Sequence, residues 1–149
     1  TVIYYKDGTE LAKIGMEKRE LITYAELPEV LIDAIIATED SRFFQHNGFD
    51  IARFTKAFLG QITGNSGAGG GSTLTMQVAK NAYTDPKAVS GFKGIVRKAT
   101  DIYISIFFLE KSYTKEQIIE FYVNEPWLGN NAYGVEQACQ LILVKLFPI

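Results

Sequence analysis

Glu39-Asp40-Ser41-Arg42-Phe43-Phe44-Gln45-His46-Asn47-Gly48-Phe49-Asp50 is the stretch from which the rest of the chain is read. It sets three acids, an Arg and a His among three Phe. A segment with only a structural duty rarely crowds so many ionisable groups against so many large apolar ones. The acids follow directly on an apolar helical run, so Glu39 stands where a buried element opens into a cleft. A carboxylate in that position can accept a proton near neutral pH. The same residues also fit an ordinary solvated helix end, because structural ion pairs cluster too. Taken alone, the stretch leaves both readings open.

Upstream, Pro28 suits the first turn of a helix, and Val30, Leu31, Ala34, Ile35 and Thr38 fall on one face of it, delivering Glu39 at its end. Residues from Val2 to Gly15 read as a small hairpin, with β-prone Val2-Ile3-Tyr4-Tyr5, a turn at Asp7-Gly8 and a return through Leu11 to Ile14. Downstream, Ile51 to Leu59 is a short helix with Arg53 and Lys56 set among Phe54, Ala57, Phe58 and Leu59. It reads equally as a core helix or as an amphipathic segment against lipid, with its cations at head groups. Gly60 to Gly71 is a glycine-rich loop, mobile and close to a site. It lacks the Gly-Lys-Ser/Thr ending of a nucleotide-binding loop, so nucleotide binding is a poor reading.

Ser72 is placed as the N-cap of the next helix, where Leu74 and Val78 form the apolar pair. Thr73, Gln77 and Lys80 lie on a polar stripe with Asn81 beside it. Such a stripe is either a solvated face or a set of donors for sugar hydroxyls or phosphate, and the loop before a helix N-terminus favours the second. A long helix is expected from about Val89 to Leu109, with Val89, Phe92, Val96, Ile102 or Tyr103, Ile106 and Leu109 as its apolar face. On another face Lys93, Arg97, Asp101 and Ser105 recur every four residues, with Lys98 adjacent. This is an exposed salt-bridged face or a basic stripe turned into a cleft. Thr114-Lys115-Glu116-Gln117 is a capping box, and the helix it opens is ended by Pro126. A last helix starts at Tyr133 to Ala138. The fold class is mainly α, with a small N-terminal β-hairpin at about residues 1–15.

A chain of 149 residues suits one domain, and a hydrophobic fraction of 47% argues against disorder. The net charge of −2 and the absence of a Lys/Arg block give no attraction to nucleic acid. Cys139 is the single cysteine, which excludes an internal disulfide and a Cys-based zinc site, and one His leaves little for a metal. No uninterrupted apolar run reaches transmembrane length. The chain starts at Thr1 with no Met and no signal peptide, which reads as an excised or processed piece of a longer protein.

The motifs, in order, resemble the peptidoglycan glycosyltransferase domain (glycosyltransferase family 51) of class A penicillin-binding proteins and monofunctional transglycosylases. The first family motif is met at every fixed position by Glu39, Asp40, Phe43, His46, Gly48 and Asp50. The second appears as Gly70-Gly71-Ser72-Thr73, Gln77 and Lys80-Asn81, and the third as Arg97-Lys98 through Leu109-Glu110. The fourth is similar to Lys115 through Asn124, and the fifth to Tyr133-Gly134-Val135-Glu136-Gln137-Ala138. Five motifs in the right order are specific where any one alone is not. Three departures stand out: Asp101 where the family has Glu, Met76 where it has the first of two Gln, and a tail from Gln140 to Ile149 unlike the family's continuation. The chain therefore reads as a domain spanning residues 1–149 with its C-terminal part truncated.

The resemblance implies a lysozyme-like helical domain that polymerises lipid II into β-1,4-linked glycan at the extracytoplasmic face of the bacterial cytoplasmic membrane. Undecaprenyl pyrophosphate leaves and the anomeric centre inverts. Glu39 is then the catalytic base, with Asp101 as the second catalytic acid, orienting a basic partner. Ser72, Thr73, Gln77, Lys80, Asn81, Lys93, Arg97 and Lys98 bind sugar and pyrophosphate. Asp40, His46 and Asp50 brace the first motif, and Phe54, Phe58 and Leu59 dip into the bilayer. No cofactor is required. If a divalent cation, Mg or Mn, shares the charge, Glu39 and Asp40 are its candidate ligands. The implied partners are lipid II, lipid-linked glycan, the membrane surface, a transpeptidase domain and cell-wall synthesis proteins, with no nucleic acid. The competing functions are a lipid II-binding or assembly module with weak catalysis, kept open by Asp101 and Met76, and a lysozyme-like glycan-cleaving enzyme. The Lys/Arg stripe speaks against cleavage, since neutral glycan needs no pyrophosphate clamp.

Overall fold

A computed structural model describes residues 2–4, 6–7, 10–13, 18–64, 69–84, 90–126, 128 and 132–146. The chain is mainly helical and divides into two compact units, residues 22–125 and a second built from residues 1–21 with 126–149.

The larger unit is organised around helix α3 (Leu74–Tyr83), which packs against α4 (Gly91–Ile104) and α6 (Lys115–Asn124). Leu74, Thr75, Met76, Val78 and Ala79 are all buried, so α3 is enclosed on most of its circumference. Phe43, Leu109, Ile118, Ile119 and Val123 complete the core around it. The sequence reading gave α3 an apolar pair only. Met76 is part of this core, and so the departure at that position lies away from the polar stripe.

Helix α1 (Glu29–Glu39) starts after Pro28, which takes the extended N-cap position just outside the first turn. Its inward residue is Ile32, whereas Val30, placed on the apolar face from the sequence, is 75% exposed. The apolar residues run nearly all round this helix, so two faces one residue apart satisfy the helical period. The observed one, Ile32, Ile35 or Ile36 and then Glu39, carries the carboxylate with it. Helix α2 (Ile51–Thr63) outlasts the expected segment by a turn and stops at Gly64, whose φ of 71° is the left-handed C-terminal conformation. Asp50 caps its start by accepting from the Arg53 amide at 2.9 Å.

The expected long helix is continuous but not uniform. Helix α4 passes into a π-turn at Ser105–Leu109 and then into α5 (Glu110–Ser112). Its start is at Gly91, and Val89 lies outside the described residues. Its orientation is the reverse of the apolar-face reading. Phe92 is 80% exposed, with Val96 and Tyr103 exposed as well, while Asp101 and Ser105 of the polar stripe are buried. The thick apolar stripe therefore faces out in the first three turns, and only from Leu109 onward does it rejoin the core.

Helix α6 opens on the capping box as read: Gln117 Oε1 accepts from the Thr114 amide at 2.9 Å, and Thr114 Oγ1 accepts from the Gln117 amide at 3.3 Å. Farther along, Asn124 holds Ile22 through both its amide and its carbonyl, at 3.0 and 2.8 Å.

In the smaller unit, β1 (Val2–Tyr4) pairs antiparallel with β2 (Glu10–Lys13), with an irregularity between Ile3 and Tyr4. The turn residue Gly8 and residues 14–17 lie outside the described residues. Strand β3 (Lys18–Arg19) pairs in parallel with β4 (Ala132–Tyr133), which leads into α7 (Val135–Leu146). Gln140 of α7 donates to Glu136 one turn earlier and to Glu20.

Candidate active site

Three elements meet at Glu39. It is the last residue of α1, half-buried, and its Oε2 accepts from Gln77 Nε2 of α3 at 2.8 Å. Tyr122 of α6 is close enough that the Glu39 charge, together with burial as the larger cause, pushes its phenol up. Gln77 was placed among the substrate binders. The structure turns it first toward the carboxylate, which it orients. Tyr122 was not singled out, because one tyrosine within an apolar helix gives no sign of what stands across from it.

Behind Glu39 the first motif is braced by a charge network. Asp40 is fully buried, lies 3.0 and 3.1 Å from His46 Nε2 through its two oxygens, and accepts from the Leu74 amide at 3.0 Å. Asp50 is gripped by Arg42 through Nε at 2.8 Å and through Nη2, which holds its carboxyl down at about 2. Asp40, His46 and Asp50 converge within 4.8 Å, yet Arg42 lies on Asp50 and Arg53 Nη1 lies 3.8 Å from Asp40, so side-chain cations already balance the acids. Asp40 does not fit as a ligand to a divalent cation beside Glu39. Its oxygens are committed to His46 and the α3 N-terminus, and it is closed off from solvent.

The loop is clasped from the far side as well. Lys115 donates to the His46 carbonyl at 2.7 Å and to Glu110 Oε1 at 2.8 Å, and sits 4.2 Å over the Phe43 ring. Thr75 donates to the same Glu110 oxygen at 2.6 Å. At Gly48, φ is 86° and a Cβ would lie 2.9 Å from the Ser105 carbonyl group, so the loop seats directly on the π-turn.

The expected binding residues separate into three groups. Lys98 donates to Ser72, and its ammonium is pushed down by burial, with Asp101 opposing and Arg97 and Lys80 adding to the fall. Lys80, Arg97 and Lys98 thus form one cationic cluster where α3 meets α4. Asp101 sits beneath it, 2% exposed, with Arg97 Nη1 on Oδ2 at 2.7 Å and Thr84 Oγ1 on Oδ1 at 2.9 Å. Both its oxygens are taken, one by Arg97, which it holds in place. Asn81 and Lys93 are exposed, and no hydrogen bond ties either to the cluster among the described residues. Thr73 is overturned as a substrate contact. It is fully buried, donates to the Gly48 carbonyl at 2.7 Å, and accepts from the Met76 amide at 3.2 Å, so that it, and not Ser72, is the N-cap of α3. Ser72 is left free to meet Lys98. The glycine loop near the site is described only at Gly64 and Gly69–Gly71, with Asn65–Ala68 outside the described residues. No helix among the described residues is long and apolar enough to cross a membrane.

The arrangement is a carboxylate held by an amide of α3, and a cluster of three cations to which the same helix contributes Lys80. Penicillin-binding protein 1A/1B of Bacillus subtilis is 39% identical over 94% of this chain, and penicillin-binding protein 1A of Vibrio cholerae is 37% identical over 96%. Penicillin-binding protein 1A of Neisseria gonorrhoeae matches at 37% over the same share. The chain spans 15–17% of the length of these relatives. A family model described as transglycosylase matches residues 7–145 and so takes in both Glu39 and the cationic cluster; by that match the chain belongs to the transglycosylase family.

Proposed function

We propose that the chain is a peptidoglycan glycosyltransferase that polymerises lipid II into β-1,4-linked glycan. The observation that carries the reading is Glu39 fixed by Gln77, which stands one helical turn along α3 from Lys80 of the Lys80, Arg97 and Lys98 cluster. In this scheme Glu39 takes the proton from the 4-hydroxyl of the acceptor sugar. The freed oxygen pair attacks the anomeric carbon of the lipid-linked donor, and the bond to the diphosphate breaks with inversion. The leaving diphosphate carries its negative charge into the cluster, where charge-assisted bonds from Arg97, Lys80 and Lys98 stabilise it. Asp101 keeps Arg97 aimed, and Ser72 is a donor toward sugar or phosphate oxygens. Lys93 and Asn81 act at the rim. The charge of the diphosphate is matched by these side chains.

The same reading gives the helical unit a lysozyme-like arrangement and a working place at the outer face of the cytoplasmic membrane. The exposed Phe58 and Leu59 of α2 support a membrane-facing side. A transpeptidase domain and other cell-wall synthesis proteins are the partners the reading supplies. The test is incubation of the protein with lipid II and, separately, with purified cell wall. Glycan formed from lipid II and no cleavage of wall is expected. The Glu39→Gln variant should keep its circular dichroism and lose about a hundredfold or more in polymerisation, the scale of general-base catalysis. Near-normal synthesis by that variant would sink the assignment.

A further inference from the structure

A second cationic site is built on the end of α1 and on α2, from residues other than those of the α3–α4 cluster. The end of α1, the Ser41-Arg42 turn, the first half of α2 and the Gly69-Gly70 backbone enclose a cavity of about 390 Å³. Arg42, Arg53 and Lys56 line it, with Thr38 and Ser41 as hydroxyl neighbours and Asp50 as its one acid. Asp50 is already neutralised by its two bonds from Arg42. Arg53 is fixed by donating through Nε to the Gly70 carbonyl at 2.8 Å, and this guanidinium stays a quarter exposed. Lys56 is exposed and makes no hydrogen bond or ion pair among the described residues. Arg53 Nη1 also lies 3.8 Å from the buried Asp40, so the surplus positive charge of the lining is that of the uncommitted Lys56 ammonium, with the preset Arg53 guanidinium and two hydroxyls beside it. That is a donor set for an oxyanion of phosphate type.

What lies beside the cavity narrows the ligand. Ile51, Phe58, Leu59 and Ile62 of α2 are exposed, and they form one stripe at helical spacing along the flank next to Lys56. A cationic pocket bordered by an open apolar stripe on one helix matches a phosphate joined to a hydrocarbon chain better than a free anion. We propose that this cavity is a lipid-phosphate site, in which Arg53 and Lys56 hold the phosphate and the α2 stripe takes the first part of the chain. It is separate from the cluster of Lys80, Arg97 and Lys98. It deepens the proposed function in one respect, since an enzyme joining two lipid-linked sugars has two lipid phosphates to hold.

Lys56→Glu is the variant of choice, because Lys56 bonds to nothing the fold depends on, and unchanged circular dichroism is the control. Binding is measured on the full chain with three probes: inorganic diphosphate, farnesyl diphosphate, and phosphatidylcholine vesicles with and without phosphatidylglycerol. A tenfold or larger loss for farnesyl diphosphate in Lys56→Glu supports the site with a lipid-linked diphosphate as its ligand. An equal loss confined to the anionic vesicles supports it with a phospholipid head group. A loss for inorganic diphosphate as large as for the lipid probes overturns the lipid part, and unchanged binding of all three overturns the site. An Arg97→Gln variant run in parallel reports the other cluster. These binding results stand apart from turnover, so absence of glycan synthesis by the native chain would refute the proposed reaction and leave the site to be judged by the probes.

Discussion

Thr73 takes the capping role expected of Ser72 and a second role besides. Its oxygen receives the Met76 amide as a helix cap while its proton goes to the Gly48 carbonyl, so a single side chain starts α3 and pins the first motif to it. Thr73→Ala should cost about 1 to 2 kcal/mol in urea unfolding, from the lost cap and a buried carbonyl left short of a donor. Thr73→Ser should recover most of it. Asp50 gives a pH signature at the same scale. Its folded carboxyl titrates at about 2 against 3.8 for the free group, chiefly because Arg42 bonds it. A depressed acid stabilises the fold above the unfolded value, and that contribution is lost as pH falls from about 4 toward 2. The difference in urea midpoint between the native chain and Asp50→Asn should therefore be full near neutral pH and shrink through that interval. A constant difference would show that the Arg42 pair is not its source.

The helix from Gly91 to Ser112 shows why an element can be read correctly and still be turned the wrong way. Its length and its two stripes are visible in the sequence, and the period fits either as the buried face. Local spacing cannot choose, since both repeat every three to four residues. The choice is made by α3 and the first motif: Thr84 at the end of α3 bonds Asp101, and Gly48 packs directly on Ser105. The same holds for the π-turn. Nothing in Ser105–Leu109 as a string announces it, and it appears where Gly48 presses on the Ser105 carbonyl. Gly48→Ala should thus be severe, combining a left-handed backbone with a Cβ at 2.9 Å from backbone atoms. We expect a loss of about 3 kcal/mol, read as a drop in thermal midpoint, and a smaller loss of about 1 kcal/mol for Gly64→Ala, where the backbone is also left-handed but a Cβ meets nothing within 4 Å.

For the whole molecule, the charge balance conceals the site. A net charge of −2 gives no hint of binding an anion, yet Lys80, Arg97 and Lys98 are gathered where α3 meets α4, and Arg42, Arg53 and Lys56 line one pocket. Long-range attraction is weak in such a molecule, and local attraction strong. The Michaelis constant for lipid II should rise severalfold between roughly 50 and 500 mM salt, as screening shortens the reach of those groups, while the turnover number changes little. A salt-independent Michaelis constant would argue that apolar contact, and not the cations, holds the substrate.

Whatever depends on neighbours within a turn or two could be read from the residues alone. The Thr114 capping box, the helix that ends on Glu39 and the order of the ionisable groups are all of this kind. Capping and periodicity are local, and so are fixed by spacing. Contacts between distant segments decided the remainder: Thr73 as cap and buckle in place of Ser72, Gln77 turned to Glu39, Asp101 bonded to Thr84 at the end of α3, and the apolar stripe of α4 left facing outward. Each of these turns on which of two comparable groups meets a partner some 25 to 40 residues away or on a facing helix, as Thr73 meets Gly48 and Gln77 meets Glu39. A hydroxyl, an amide or a helical face carries no mark of that partner until packing brings it within hydrogen-bond distance.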